Sequence, residues 1–271
     1  MSGSKRQTLK IVILGRSNVG KTSIGKYLKH LSTTLALNTE PSTRIEKYSL
    51  DILKFNIAIF VTPGQRRFYK MNRDFVYRIV DANTLIFYVM DASADSRQIK
   101  EMLQEYISML KFLHDIAIEK NIEEISVSLL AHKQDLPNAI DGEKILLHML
   151  KKLEEKFTNL RLRIFNTSIY YPETLYKVFH NIVFSRLLPM DSIHNITHFL
   201  VNTTKSESVT ISDAMGFPIA IGGNDNISAW LSILPAKILA SIEQEERIIK
   251  EYQKEIWTLI FRRNRPTTID M

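Results

Sequence analysis

Apolar runs of strand length punctuate the first two thirds of the chain. Residues 9–14, 55–61, 84–90, 125–131 and 161–166 are rich in Val, Ile, Leu and Phe, and helix-length amphipathic segments at 21–31, 97–120, 142–157 and 172–188 alternate with them. Strands buried on both faces read as continuous apolar runs, and a β/α alternation closes through right-handed crossovers into a mainly parallel sheet. Residues 45–53 instead alternate apolar and polar positions, the pattern of an antiparallel edge strand beside 55–61. Six strands and an α/β class follow. Residues 32–42 form a polar connection with poor periodicity. Within a compact domain, a loop of that length is usually functional.

The pattern changes after Leu188-Pro189, which divides the chain into an expected domain at 1–188 and a second at 189–271. In the second, 190–203 reads as a helix, 208–212 and 217–221 as a hairpin through Met215-Gly216, 227–254 as a long helix and 256–261 as a final strand. A unit of about 80 residues is near the lower limit for an independent core, so it is expected to pack against something.

The 271 residues, 45% of them hydrophobic, can bury a substantial core. No apolar run approaches the ~18 residues needed to cross a bilayer. Met1-Ser2-Gly3-Ser4-Lys5-Arg6 lacks a signal-like apolar stretch, and Ser2 does not fit a myristoylation site. The chain has no cysteine, which excludes disulfides, thiolate zinc sites, prenylation and palmitoylation. A cytoplasmic protein is expected, without direct membrane insertion, whose membrane residence would be borrowed from a partner. Residues 1–188 carry 28 Lys and Arg against 19 Asp and Glu, whereas 189–271 carry 8 against 10. A basic first domain suits a polyanionic ligand. With no aromatic-interleaved basic stripe, a nucleotide is favoured over nucleic acid.

The chemistry starts directly after the first apolar run. Gly15-Arg16-Ser17-Asn18-Val19-Gly20-Lys21-Thr22 fits G-x-x-x-x-G-K-[ST], a loop whose glycines let backbone N–H groups approach phosphate oxygens. Lys21 is expected to reach the β- and γ-phosphates, Thr22 to ligate magnesium, and Ser23 to open a helix whose positive end faces the phosphates. Strand, loop and helix in that order are the context the motif requires.

Three further segments select the nucleotide. His132-Lys133-Gln134-Asp135 follows an apolar strand, and a carboxylate there can accept from both N1–H and the exocyclic amine of guanine, a donor pair adenine lacks. GTP and GDP are therefore expected over ATP. The Lys133 stem would lie along the base, and Thr167, Ser168 and Ile169 would offer backbone N–H to the guanine oxygen. In Thr62-Pro63-Gly64-Gln65, Gly64 can present its N–H to the γ-phosphate and Gln65 can orient water. Gln65, Gly64 and Lys21 are the candidate catalytic groups. At the end of the 32–42 connection a hydroxyl can close onto magnesium, with Thr43 preferred over Ser42.

Together these residues resemble a small GTPase of the Rag type. The His-Lys-x-Asp form, Thr167-Ser168-Ile169-Tyr170 followed by Glu173-Thr174-Leu175-Tyr176, and the closing Leu188-Pro189 carry the resemblance. Pro63-Gly64-Gln65 is closer to the Rag C/D branch than to A/B. The resemblance implies a P-loop GTPase fold, a roadblock-like domain at 189–271, pairing through it with a second Rag-like GTPase or a roadblock-type protein, and activating and exchange proteins. Ser212-Asp213-Ala214-Met215-Gly216-Phe217-Pro218 resembles the roadblock hairpin.

One position departs from the small-GTPase pattern. The aspartate expected at the end of the third strand, which supports a magnesium-bound water, is Val61. Asp91 is a conceivable substitute, although strand-end aspartates commonly serve as caps. No arginine finger is apparent, and Arg66 and Arg67 read as a solvated helix start. Slow hydrolysis is expected. A nucleotide-bound scaffold without turnover and a ribosome- or RNA-associated GTPase, prompted by the basic first domain and the loop wording Gly-Arg-Ser-Asn-Val-Gly-Lys, are the alternatives.

Overall fold

The computed structural model describes residues 8–30, 33–37, 39–52, 55–213, 217–223 and, as backbone alone, 257–261. The chain divides into two compact units, Met1–Leu175 and Tyr176–Met271.

The first unit is built on six strands: β1 (Thr8–Leu14), β2 (Glu46–Ile52), β3 (Phe55–Val61), β4 (Thr84–Asp91), β5 (Ile125–His132) and β6 (Leu160–Thr167). They lie in the order β2-β3-β1-β4-β5-β6, with β2 antiparallel to β3 and every other pairing parallel. Every residue of β5 is buried and β4 is buried up to its last residue, whereas β2 alternates between half-buried and exposed positions. The expected α/β class, six-stranded sheet and edge strand are all present.

The helices are α1 (Lys21–His30), α2 (Thr33–Leu37), α3 (Tyr69–Ile79), α4 (Ser96–Glu119), α5 (Gly142–Lys156) and α6 (Pro172–Val178). In α4, Met102, Tyr106, Leu110, Leu113 and Ala117 are buried, a three- and four-residue spacing that lays one face on the sheet. Full burial of each large apolar side chain contributes about 1.5–3 kcal/mol. Asp95 caps α4 by accepting from the Gln98 N–H, and Asp141 caps α5 by accepting from the Lys144 N–H. The start of α5 is also tied to β6, because Asn166 Oδ1 accepts from the Gly142 and Glu143 N–H groups at 3.0 and 3.3 Å.

Two helices are additions to the expected pattern. α2 lies within the 32–42 connection, and α3 follows a 3₁₀ turn at Arg66–Phe68. In α3 only Asn72 and Val76 are fully buried, and the segment is crowded with Arg and Lys, so its apolar stripe is too narrow to read as a helix.

In the second unit a π-helical turn, Phe179–Phe184, and a short helix α7 (Ser185–Leu187) continue the helical run. α8 (Met190–Thr204) leads into β7 (Ser208–Ser212) and β8 (Pro218–Gly223), and β9 (Trp257–Phe261) closes an antiparallel sheet in the order β8-β7-β9. In a regular α-helix, residues five apart stand roughly 140° round the axis from each other. The π turn brings Phe179 and Phe184 together on Phe217, with ring centroids 5.4 and 5.8 Å away. These rings belong to the second unit, and the chain divides within α6. Leu188-Pro189, the break anticipated from sequence, is the joint between α7 and α8. The turn at 215–216 and the helix anticipated over 227–254 lie outside the described residues.

Candidate nucleotide-binding site

The site gathers at the C-terminal ends of the parallel strands, where a nucleotide binds in open α/β sheets. After β1 the chain turns through Gly15 at φ 137°, Asn18 at 63° and Gly20 at 95°. Such angles suit glycine, and space demands it as well. A Cβ on Gly15 would stand 2.3 Å from the Val89 carbonyl oxygen, and one on Gly20 would stand 2.6 Å from Cδ2 of His132. Lys21 begins α1 with only 6% of its surface exposed, and its ammonium donates to the Arg16 carbonyl inside the loop. Burial pushes its pKa down to about 8. A buried cation folded back onto a carbonyl of its own loop is primed for an anion.

The base end lies past β5 and β6. His132 is buried, and its Nδ1 is 3.0 Å from the Thr167 hydroxyl. Burial pushes the imidazole pKa down to about 4, so the ring is neutral at physiological pH and can be tucked against Gly20. The Ser168 hydroxyl donates to Asp135 Oδ1 and accepts from the Tyr170 N–H, which aims the carboxylate from the loop after β6. The Ser168 N–H itself donates to the Thr174 hydroxyl at 2.9 Å. The contribution of Ser168 here is thus through its side chain, rather than through the backbone N–H anticipated for this loop. Ile169 is buried behind it. Lys133, at φ 68°, places its ammonium 2.5 Å from Asp91 Oδ2. Asp91 also accepts from the Ser93 N–H and hydroxyl. Although burial opposes ionisation, Lys133 and Ser93 hold its carboxyl below the ordinary range. Asp91 is a turn and pairing residue.

The phosphate end is completed from β2 and β3. Thr22 Oγ1 lies 3.0 Å from Ser42 Oγ, whereas Thr43 is exposed. The hydroxyl brought to Thr22 is that of Ser42, in place of the preferred Thr43, because the strand that starts at Glu46 draws Ser42 inward through a hydrogen bond to the Glu46 carboxylate. Hydroxyls with a carboxylate behind them make a hard-oxygen donor set, the chemistry magnesium favours. The residues present fit that ion, with Thr22 and Ser42 as its protein hydroxyls. Val61 is fully buried. A Cβ on Gly25 of α1 would stand 2.7 Å from Val61 Cγ2 and 2.9 Å from Cε2 of Tyr48.

Gly64 is seated on the phosphate loop. A Cβ there would stand 2.3 Å from both the Arg16 carbonyl carbon and the Ser17 nitrogen, so no other residue permits this approach. Asn72 secures the segment by donating to the Pro63 carbonyl at 2.7 Å. Gln65 is half-buried at the head of the 3₁₀ turn, and Arg66 and Arg67 are exposed, with the Arg67 guanidinium 4.8 Å from the Phe68 ring. The latter two behave as the solvated start of a helix.

The conserved region of Gtr1/RagA G proteins matches residues 10–223. The chain belongs to the Gtr1/RagA G protein family. ADP-ribosylation factor-like protein 3 of Chlamydomonas reinhardtii is 30% identical over 141 residues, covering 52% of this chain and 71% of that protein. GTP-binding protein yptV5 of Volvox carteri is 35% identical over 100 residues, covering 35% of this chain and 46% of that protein. The Chlamydomonas GTP-binding protein YPTC5 is 34% identical with the same coverage. The chain thus spans less than half the length of the latter two. A solved structure of the Trypanosoma brucei small GTPase Arl6 with the nucleotide analogue GppNp overlays with a TM-score of 0.48 at 19% identity, over 60% of this chain and 88% of that one.

For a Gtr1/RagA-family member, guanine-nucleotide binding and the α/β small-GTPase fold follow from the family. The structure adds a contact that sequence reasoning missed. Arg16, counted among the nucleotide contacts by its place in the loop, turns its guanidinium onto α4. It donates to both Glu105 oxygens at 2.8 Å and to Glu101 at 3.0 Å, and Tyr69 of α3 donates to the same Glu105. Although burial opposes it, Arg16 and Tyr69 keep Glu105 below its ordinary pKa. Arg16 therefore fastens the loop to α3 and α4, and only its backbone is left for phosphate. Glu101 and Glu105 stand four apart on α4, a spacing visible in the sequence. Nothing local linked them to residue 16.

Proposed function

We propose that the chain is a Rag-type guanine-nucleotide switch that binds GTP and GDP with magnesium, hydrolyses GTP slowly, and signals through partners selected by its nucleotide state. The observation that carries this reading is the seating of Gly20 against His132, with Asp135 aimed by Ser168 beside it. A phosphate loop and a guanine-selecting carboxylate are thereby held in one rigid frame. Two of the algal relatives, yptV5 and YPTC5, are GTP-binding proteins, which agrees with it. Lys21 and the loop N–H groups bind the phosphates, Thr22 and Ser42 are the hydroxyls for magnesium, Gly64 offers its N–H to the γ-phosphate, and Gln65 orients water.

Slow hydrolysis is supported by Val61, which offers no charge, and by the exposure of Arg66 and Arg67. The residues after 188 act as a roadblock-like module that pairs with a second Rag-like GTPase or a roadblock-type protein, and Pro63-Gly64-Gln65 favours a C/D-like branch. Exchange and activating proteins set the nucleotide state, and any membrane association comes through a partner.

Val61 also favours a second reading, in which the nucleotide is a structural ligand that is not turned over. The GTP/GDP ratio on purified Gln65→Leu protein separates the two. A rise in bound GTP supports the switch, and an unchanged ratio together with no single-turnover hydrolysis supports the scaffold.

A further inference from the structure

Val61 leaves the phosphate end of the site one negative charge short, and the neighbouring strand holds one. In the antiparallel pairing of β2 with β3, Glu46 stands opposite Val61. Residues directly opposite in such a ladder share a face, with Cβ atoms about 4.5–5.5 Å apart. That face is the one turned toward α1, since Val61 and Tyr48 are the side chains a Cβ on Gly25 would meet and the Lys29 ammonium lies 5.8 Å from the Tyr48 ring. The Glu46 carboxylate is held at both oxygens, with the Ser42 hydroxyl donating to one and the Tyr48 hydroxyl to the other. Ser42 Oγ is in turn 3.0 Å from Thr22 Oγ1. The carboxylate therefore stands one hydroxyl away from the residue that ends the phosphate loop. Asp91, at the end of β4, is occupied by Lys133 and Ser93.

We propose that Glu46 supplies, across the strand pair, the carboxylate of the magnesium site that β3 lacks at Val61, with Tyr48 and Ser42 as the residues that position it. The proposal rests on the reading of the chain as a magnesium-dependent guanine-nucleotide binder. A glutamate has one methylene more than the aspartate it stands in for, and it works from the adjacent strand. Magnesium is commonly held by one or two carboxylates beside substrate phosphates and waters, so one relocated carboxylate suffices.

The test uses the full chain loaded with a fluorescent GDP. Its release rate is followed from EDTA to millimolar magnesium, and Mn²⁺ binding to the GDP-loaded protein is titrated by electron paramagnetic resonance. Glu46→Gln is expected to raise the metal concentration for half-maximal retention, and the Mn²⁺ dissociation constant, ~10- to 100-fold, with release in EDTA unchanged. Tyr48→Phe, which keeps the carboxylate and loses one hold on it, is expected to shift both in the same direction by less. Adding Val61→Asp to Glu46→Gln is expected to recover metal affinity. A Glu46→Gln protein with wild-type metal dependence, or one whose release rises equally in EDTA, overturns the proposal and leaves the nucleotide reading intact. A wild-type chain that retains GDP equally with and without metal overturns both the proposal and the magnesium dependence on which it rests.

Discussion

Gly20 and His132 are packed so closely that a Cβ on the glycine would stand 2.6 Å from the imidazole Cδ2. The phosphate loop and the guanine motif are thus packed as one piece, with the imidazole of His132 filling the space that Gly20 leaves open. Gly20 combines this contact with φ 95°, a backbone region that costs a side-chain-bearing residue on the order of 1–3 kcal/mol. Gly20→Ala is expected to weaken GDP binding by at least about tenfold. Isothermal titration with GDP checks this, and an unchanged affinity would show that the two motifs are mechanically independent.

Acid should loosen the same joint. His132 has its pKa lowered to about 4 in the folded chain, whereas the unfolded chain takes up that proton near 6.5. The unfolded state therefore binds more protons between these values. The stabilisation from keeping the ring neutral is complete above about pH 6.5 and is lost as pH falls toward 4, an effect on the order of 3 kcal/mol. Urea melts from pH 7 to 4.5 should show stability falling through this window, and His132→Asn should flatten that part of the profile.

Lys21 predicts a trade of stability against binding. Its pKa, lowered to about 8 by burial, means the unfolded chain holds the proton more readily than the nucleotide-free fold between pH 8 and about 10.5. At neutral pH the buried charge opposes folding. Lys21→Met is expected to leave the nucleotide-free protein as stable as wild type or more so by about 1–3 kcal/mol, while GDP affinity falls at least ~100-fold. In the wild type, phosphate favours the charged form, so affinity should decline as pH rises above 8. Thermal melts of nucleotide-stripped protein and GDP titrations across pH 7–9.5 read both effects.

The Arg16–Glu105 fork links the phosphate loop to α3 and α4 through three half-buried side chains, with Tyr69 as the third. Partly shielded and bidentate, it should be worth about 1–2 kcal/mol. A double-mutant cycle of Arg16→Ala with Glu105→Ala, followed by urea unfolding, should give a coupling of that size. Near-additive losses would show that the contact contributes no net stability.

The strands were legible because each is an apolar or alternating run of strand length, and β3 began and ended where its run did. The phosphate loop, Gly64 and Asp135 were legible because each needs one residue type at one place after one strand. α3 was hidden by the Arg and Lys that crowd it, and the ties from Arg16 to Glu105 and from His132 to Gly20 join residues that only the folded sheet brings together. Glu46 was hidden by register. Its pairing with Val61 depends on where the chain reverses between the two strands, and the Leu-Lys pair in that stretch of sequence carries none of the Asn-Gly or Gly signals of a tight hairpin. The choice of Ser42 over Thr43 depends on that same register, because Glu46 decides which hydroxyl turns inward.

Competition for a fluorescent GDP bound to the purified full chain, with GTP, GDP, ATP and ADP as displacers, tests the central claim most directly. Asp135 can satisfy both guanine donors and would be left unpaired by adenine. GTP and GDP should displace the probe, with ATP and ADP at least ~100-fold weaker. Displacement by ATP at the concentrations effective for GTP would contradict the account.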